Sequence, residues 1–197
     1  MDRILLECEY FPCIAWYRTF NSSAEVCIEQ EEHFVRASLR NRCYIAGTHG
    51  VLCLSVPIEG GRNQKIKMKD VRVSNHDQWQ HVHWHSIFSS YGRSPYFQYF
   101  SDILEKFYQK KFTFLLDLNL ASVACIQSML RQSKSFALSS DFQPYTNQDL
   151  RLKIRSHNYQ QFSTDINYHQ VFSEQYGFIP NLSMLDFIFC EQQAALL

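Results

Sequence analysis

The sequence predicts an α/β fold: one domain over residues 1–197, with a mixed open sheet of short strands flanked by helices. Three observations carry this expectation. Short apolar runs bounded by turn residues recur up to Pro57, helical patterns dominate from Gln78 to Leu130, and a further strand-like run follows at Phe136 to Ser139. That order of elements favours a mixed sheet over a bundle or a sandwich. At 197 residues the chain suits one core, hiding roughly 70% of its unfolded surface. Hydrophobic residues make up 46% and charged residues 19%, which places it well outside the disordered regime.

Ile4-Leu5-Leu6 reads as a strand, ended near Pro12. Ile14 to Phe20 is apolar and aromatic and reads as a helix broken at Asn21-Ser22-Ser23. Val26-Cys27-Ile28 is a second strand that runs directly into acidic residues at Glu29. Arg42 to Ile45 and Val51 to Pro57 form a hairpin around Gly47-Thr48-His49-Gly50, and Gly60-Gly61 makes another turn. Ile66 to Val73 alternates, with Lys65, Lys67 and Lys69 on one face, and reads as an edge strand guarded by lysines. Asp77 is expected to cap a helix from Gln78 to Tyr91, ended by Gly92 and Pro95. Ser101 is expected to cap a second over Asp102 to Lys110, and Thr113 to start a third reaching Leu130. Residues 141–170 are polar and fix no element. Pro180-Asn181-Leu182-Ser183 leads into a last helix over Met184 to Phe189.

Composition excludes several classes. Nineteen basic and nineteen acidic residues cancel, so no nucleic-acid partner is expected. The start lacks the ordered features of a signal peptide, and no run reaches the about 18–20 apolar residues of a membrane span. Seven scattered cysteines without a C-x-x-C pair fit buried free thiols and a cytoplasmic location. Cys27 and Cys53 occupy positions that suit a core, and Cys43 beside Arg42 is the best candidate for a reactive thiol. Phosphate-binding glycine loops, the G-x-S-x-G elbow and H-E-x-x-H are all absent.

The residues that point to chemistry lie between Glu29 and Arg42. Glu29, Glu31, Glu32, His33, Arg40 and Arg42 make a mixture that is costly to bury. A carboxylate at a strand end orients a histidine or accepts a proton, and an arginine grips a carboxylate or phosphate through two hydrogen bonds. The same cluster also suits a salt-bridge lattice that merely holds a loop. His81, His83 and His85 suggest a metal at first. On a helix, however, His83 points away from the other two and no further ligand is spaced to join them, so no metal site is expected. Asn119 and Asp186 stand inside apolar runs and need partners if buried.

The run Cys27-Ile28-Glu29-Gln30-Glu31-Glu32-His33-Phe34, with Arg40-Asn41-Arg42-Cys43, resembles the WbqC-like protein family. The likeness continues through Trp79, His83-Trp84, Tyr91, Pro95-Tyr96-Phe97, Lys110-Lys111-Phe112, Leu116-Asp117-Leu118-Asn119 and Pro180 to Asp186, covering residue 4 to about 189. The chain departs from the family after the last helix, where Cys190-Glu191-Gln192-Gln193 replaces Asn-x-Gly-Pro. The family's members occur among bacterial surface-polysaccharide and O-antigen genes. The resemblance implies a cytoplasmic transferase that moves a small acyl or glycyl-type aminoacyl group onto a sugar precursor, with no cofactor. Taken with the clustering of these residues, it leads to the expectation of His33 as base, Glu29 aligning it, Asn41 donating to the oxyanion, and Arg40 and Arg42 holding an anionic donor. Tyr10, Trp79, His83, Asn119 and Asp186 are the further substrate-binding positions it carries over. The substrate would be a sugar nucleotide or an activated acyl donor. The alternative is a non-enzymatic sugar-nucleotide-binding or scaffold subunit of the polysaccharide machinery, presenting Trp79, Trp84, Tyr96 and Tyr99 as an aromatic patch.

Overall fold

Two parallel strands that each end in a buried glutamate organise the molecule. The computed structural model describes residues 3–60, 65–144, 151, 154–162 and 165–191. Strand β1 (Ile4–Glu7) pairs in parallel with β2 (Val26–Glu29), and Glu7 lies beside Glu29 in the register. Helix α1 (Ile14–Ser22) makes the crossover between them, as a parallel pair requires. A two-residue strand β5 (Ala137–Leu138) pairs in parallel with β2, giving the order β1-β2-β5. The hairpin of β3 (Arg42–Gly47) and β4 (Gly50–Ser55) stands as a separate antiparallel pair. The α/β class therefore holds, with the strands divided between two small sheets. Gly50 sits at φ +99°, a conformation that would strain any other residue at the hairpin turn.

Helices α2 (Trp79–Tyr91), α3 (Phe97–Gln109) and α4 (Leu115–Met129) follow, then the short α5 (Ser173–Tyr176) and α6 (Met184–Cys190). The buried faces of α2, α3, α4 and α6 join one hydrophobic cluster with β1, β2 and β3. Leu104, Leu118, Phe187 and Phe189 are fully buried within it, and each such side chain contributes about 1.5–3 kcal/mol of burial.

Several boundaries differ from expectation. Helix α3 starts at Phe97, not Asp102, because its apolar face of Phe97, Phe100, Leu104 and Phe107 begins one turn before Ser101. Helices α2 and α4 carry no side-chain cap from Asp77 or Thr113. The Leu115 amide instead donates to the Val71 carbonyl at 2.8 Å. Only α6 is capped as its sequence suggests, with Ser183 Oγ accepting from the Leu185 amide.

Ile66 to Val73 does not form a strand. It pairs with the loop after β2, where Phe34 N donates to Ile66 O, Met68 N to Glu32 O and Lys69 N to Gln30 O, and it tightens into a 3₁₀ turn at Met68–Asp70. Cys53 is exposed on β4, whereas Cys43 is buried, and burial pushes the Cys43 thiol well up, against a reactive role. Gly61 of the expected turn, Gln192 and Gln193 of the terminal departure, and much of 145–164 lie outside the described residues. Among the described residues, no helix is long and apolar enough to cross a membrane.

Candidate functional site

Pairing two parallel strands brings their carboxyl ends together, and in open α/β sheets ligands bind outside those ends. Here the ends carry Glu7 and Glu29, with Glu9 two residues beyond Glu7 in the same run. All three carboxyls are buried, and so are Glu32 and Arg40. Arg40 Nη2 lies 2.6 Å from Glu7 Oε2 and 2.7 Å from Glu32 Oε1. Arg40 Nε also donates to Glu32 Oε1 at 3.0 Å. One guanidinium thus serves two carboxylates. Asn119 fixes this arrangement from α4, its Nδ2 donating to the carbonyls of Cys8 and Arg40 at 2.8 Å each.

The electrostatic balance follows from counting charges. Burial raises the Glu7 pKa to about 7, outweighing the opposing pull of Arg40. Burial, with Glu7 as neighbour, pushes Glu9 well above the usual carboxylate range. The two carboxyls are buried neighbours, and charge on one disfavours charge on the other, so the pair favours holding one proton between them. Glu9 is otherwise poorly served: Oε2 accepts a long bond of 3.4 Å from the Cys13 amide, and among the described residues no donor reaches Oε1. Glu32 Oε2, Asn41 Oδ1 and Asn119 Oδ1 likewise are buried without a donor among the described residues. Beside this cluster Phe11 is held at φ 38°, its amide donating to Ser122 Oγ and its carbonyl accepting from Ser183 Oγ. A bulky residue in that conformation stores strain.

Glu7 and Arg40 open onto a cavity of about 210 Å³, whose walls include Arg36, Arg151, Arg155 and His157. Four arginines around one carboxylate make a pocket that attracts anions and holds a group that titrates near neutrality.

The expected site residues divide between this pocket and the core. Glu29 is saturated: Oε1 accepts from Ser139 Oγ at 2.6 Å and the Glu31 amide at 2.8 Å, while Oε2 accepts from the Gln143 amide at 2.9 Å and Arg151 Nη1 at 3.3 Å. His33 is not among its partners. The His33 side chain is exposed, and its backbone bridges to Lys67. Asn41 Nδ2 is spent on the Val56 carbonyl at 3.2 Å. Arg42 lines a separate crevice with Glu9, Tyr44 and Tyr159 that has no room for a water molecule.

Tyr10, Trp79 and His83 do come together, but inside the core. Tyr10 Oη lies 3.0 Å from His83 Nδ1 and 2.8 Å from Tyr108 Oη. The three groups form a buried hydrogen-bonded chain with Tyr10 Oη at its centre. Burial lowers the His83 pKa to about 4 and keeps the ring neutral. Trp79 packs edge-on against His83 with ring centroids 5.1 Å apart. It is 5% exposed, so the aromatic patch expected from Trp79, Trp84, Tyr96 and Tyr99 does not form with Trp79 in it. Asp186 anchors a second network, accepting from Tyr91 Oη and Tyr168 Oη at 2.6 Å each and from Gln170 Nε2 at 2.8 Å.

The sequence reading missed Glu7 and Glu9 as site residues. A signal was present: two carboxylates, two residues apart, interrupt the run Leu6-Glu7-Cys8-Glu9-Tyr10, where a parallel strand should be continuously apolar. Arg151 and Arg155 lay in a stretch without periodicity and gave no signal. Among the described residues, no group of three or more His, Cys, Asp or Glu side chains is placed to hold a metal ion. His81 and His85 share a face with Nε2 atoms 2.9 Å apart, while His83 is buried away from them.

Comparison with known proteins found no match among curated proteins and none among solved structures. A family model does match, over residues 8–158, well over half of the chain and spanning Glu9, Glu29, Glu32, Arg40, Asn119 and Arg151; the chain belongs to the WbqC-like protein family.

Proposed function

We propose that the cavity at the carboxyl ends of β1 and β2 is the reaction centre of a cytoplasmic transferase, one that moves a small acyl or aminoacyl group onto a sugar precursor. Membership of the WbqC-like family suggests a role in surface-polysaccharide biosynthesis. The observation that carries the chemical reading is Glu7, a buried carboxylate raised to about 7 that lines an arginine-walled cavity. A base is most effective when its pKa lies near the working pH.

In this reading Glu7, rather than His33, takes the proton. The neutral amine or hydroxyl of the sugar attacks the donor's acyl carbon and forms the new N–C or O–C bond. The bond from acyl carbon to leaving atom breaks, the leaving atom keeps the electron pair, and the acceptor's proton passes to Glu7. Arg40 holds Glu7 in place, Arg151 holds Glu29, and Glu9 keeps its own proton beside them. Arg36 and Arg155 supply positive charge at the wall for a phosphate or another anionic group of the substrate. The cavity of about 210 Å³ is smaller than the about 300–1,000 Å³ of pockets that enclose a whole ligand. It therefore takes the reacting end of a sugar nucleotide and leaves the base outside.

The test is incubation with an acyl or aminoacyl thioester and a UDP-amino-sugar, read by mass spectrometry as acylated sugar nucleotide. Glu7→Gln should lower turnover by about 10²–10⁴-fold while binding of the sugar nucleotide persists. Turnover equal to that of the unaltered protein would remove Glu7 from this role.

A further inference from the structure

We infer that a second cavity, between the start of α2 and the end of α3, binds a pyranose stacked on Trp84. This groove has a volume of about 420 Å³, within the about 300–1,000 Å³ range of ligand sites. Glu7, Arg40 and Arg151 line the other cavity and do not take part in it.

Two amides are fixed in the lining. Gln80 Nε2 donates to the carbonyls of Tyr108, at 2.9 Å, and Lys110. Asn75 Nδ2 donates to the carbonyls of Phe112, at 3.0 Å, and Val73, at 3.4 Å. Both NH₂ groups are thereby spent on the chain between α3 and α4 and around Val73, and both amide oxygens remain as oriented acceptors. The carboxylates of Asp77 and Glu105 add more acceptors, and neither has a hydrogen-bond or ion-pair partner among the described residues. Donors come from Lys111, the amides of Gln78 and Gln109, the imidazoles of His76 and His81, and the indole of Trp84.

A lining that both accepts and donates around one indole calls for a ligand whose groups do both. A pyranose brings a rim of hydroxyls and an apolar face of C–H bonds. Trp84 is half-buried and braced by Phe97, stacked at 6.0 Å between ring centroids, so it offers a fixed aromatic surface to that face. Two carboxylates against one lysine disfavour a phosphorylated ligand, so a neutral or amino sugar fits best. The groove is a saccharide subsite, and it stands whether or not the arginine-walled cavity performs acyl transfer.

Ligand-observed saturation-transfer NMR with methyl β-glucoside, methyl β-galactoside and methyl β-N-acetylglucosaminide tests this on the full chain. At least one should show saturation concentrated on the C–H protons of a single ring face. Trp84→Phe keeps the packing against Phe97 and should weaken binding several-fold. Glu105→Gln, at an exposed position, should weaken it by about tenfold. No saturation from any of the three at tens of millimolar would overturn the assignment, and so would binding that both variants leave unchanged.

Discussion

Asp186 and Glu7 are both buried carboxylates, yet their surroundings treat them in opposite ways. Asp186 receives three donors on its two oxygens, and these oppose the upward push of burial on its pKa. Tyr91, one of those donors, also accepts from the Ala46 amide, so the network ties α2 and α6 to β3. Glu7 shares the Arg40 guanidinium with Glu32, lies beside a second carboxyl, and faces a cavity. A carboxylate satisfied on every side is scaffold, because its proton has nowhere useful to go. One left partly unsatisfied beside open space has a proton to exchange. Glu29, with four donors, belongs with Asp186 in this comparison although the sequence reading placed it in the site.

The contrast is broken most directly at Asp186. Asp186→Ala strands three buried donors and should cost about 3–5 kcal/mol by chemical denaturation, lowering the melting temperature by about 10 °C. A small loss would mean that water replaces the carboxylate and that the network is not the anchor it resembles.

The next effect concerns pH. Glu7 titrates near 7 in the folded chain and near 4.5 when unfolded, so its contribution to stability is full below pH 4.5 and is lost as pH rises to 7. His83 runs the other way: folded near 4 and unfolded near 6.5, its contribution is full above pH 6.5 and is lost as pH falls towards 4. Each change is on the order of 3 kcal/mol, and between pH 4.5 and 6.5 the two oppose one another. Glu7→Gln should therefore expose a stability that falls with acid, and His83→Asn one that falls with base. Parallel profiles for the two variants in urea titrations across this range would defeat the assignment of both protons.

Asn119→Ala frees the carbonyls of Cys8 and Arg40 and should cost about 2 kcal/mol. It should also impair activity, because the loop that presents Arg40 to Glu7 loses its tie to α4. The smallest effect belongs to Ser139→Ala, about 1 kcal/mol, since Glu29 keeps three of its four donors. A larger loss there would place Glu29 nearer to Glu7 in behaviour than its hydrogen bonds imply.

The sequence carried the local patterns well. Helix α2 and the β3–β4 hairpin follow directly from periodicity and from Gly47 and Gly50, because those signals are set by neighbours within a few residues. Ile66 to Val73 misled because alternation requires a continuous strand partner, and this segment instead divides its backbone bonds among the irregular Gln30–Phe34 loop, Glu59, Thr113 and Leu115. The site was legible in part. Arg40 stood out as a cation in a costly cluster, and Asn119 as a polar residue in an apolar run. Glu7 was passed over because acidic residues alternating at the end of a strand, as Glu7 and Glu9 do, look like a solvated face until the strand beside them is known.

What the chain alone determined, then, was its α/β class, its short strands, its helical second half and a concentration of charge after β2. These depend on spacing and composition, which a linear reading contains. Only the tertiary structure decided which charges are satisfied. Arg151 reaches Glu29 across a sequence separation of 122 residues, and Asn119 reaches the Cys8 carbonyl across 111. Burial and donors are brought together from such distances, so which carboxylate is left facing a cavity and which is ringed by donors exists only once the chain is folded.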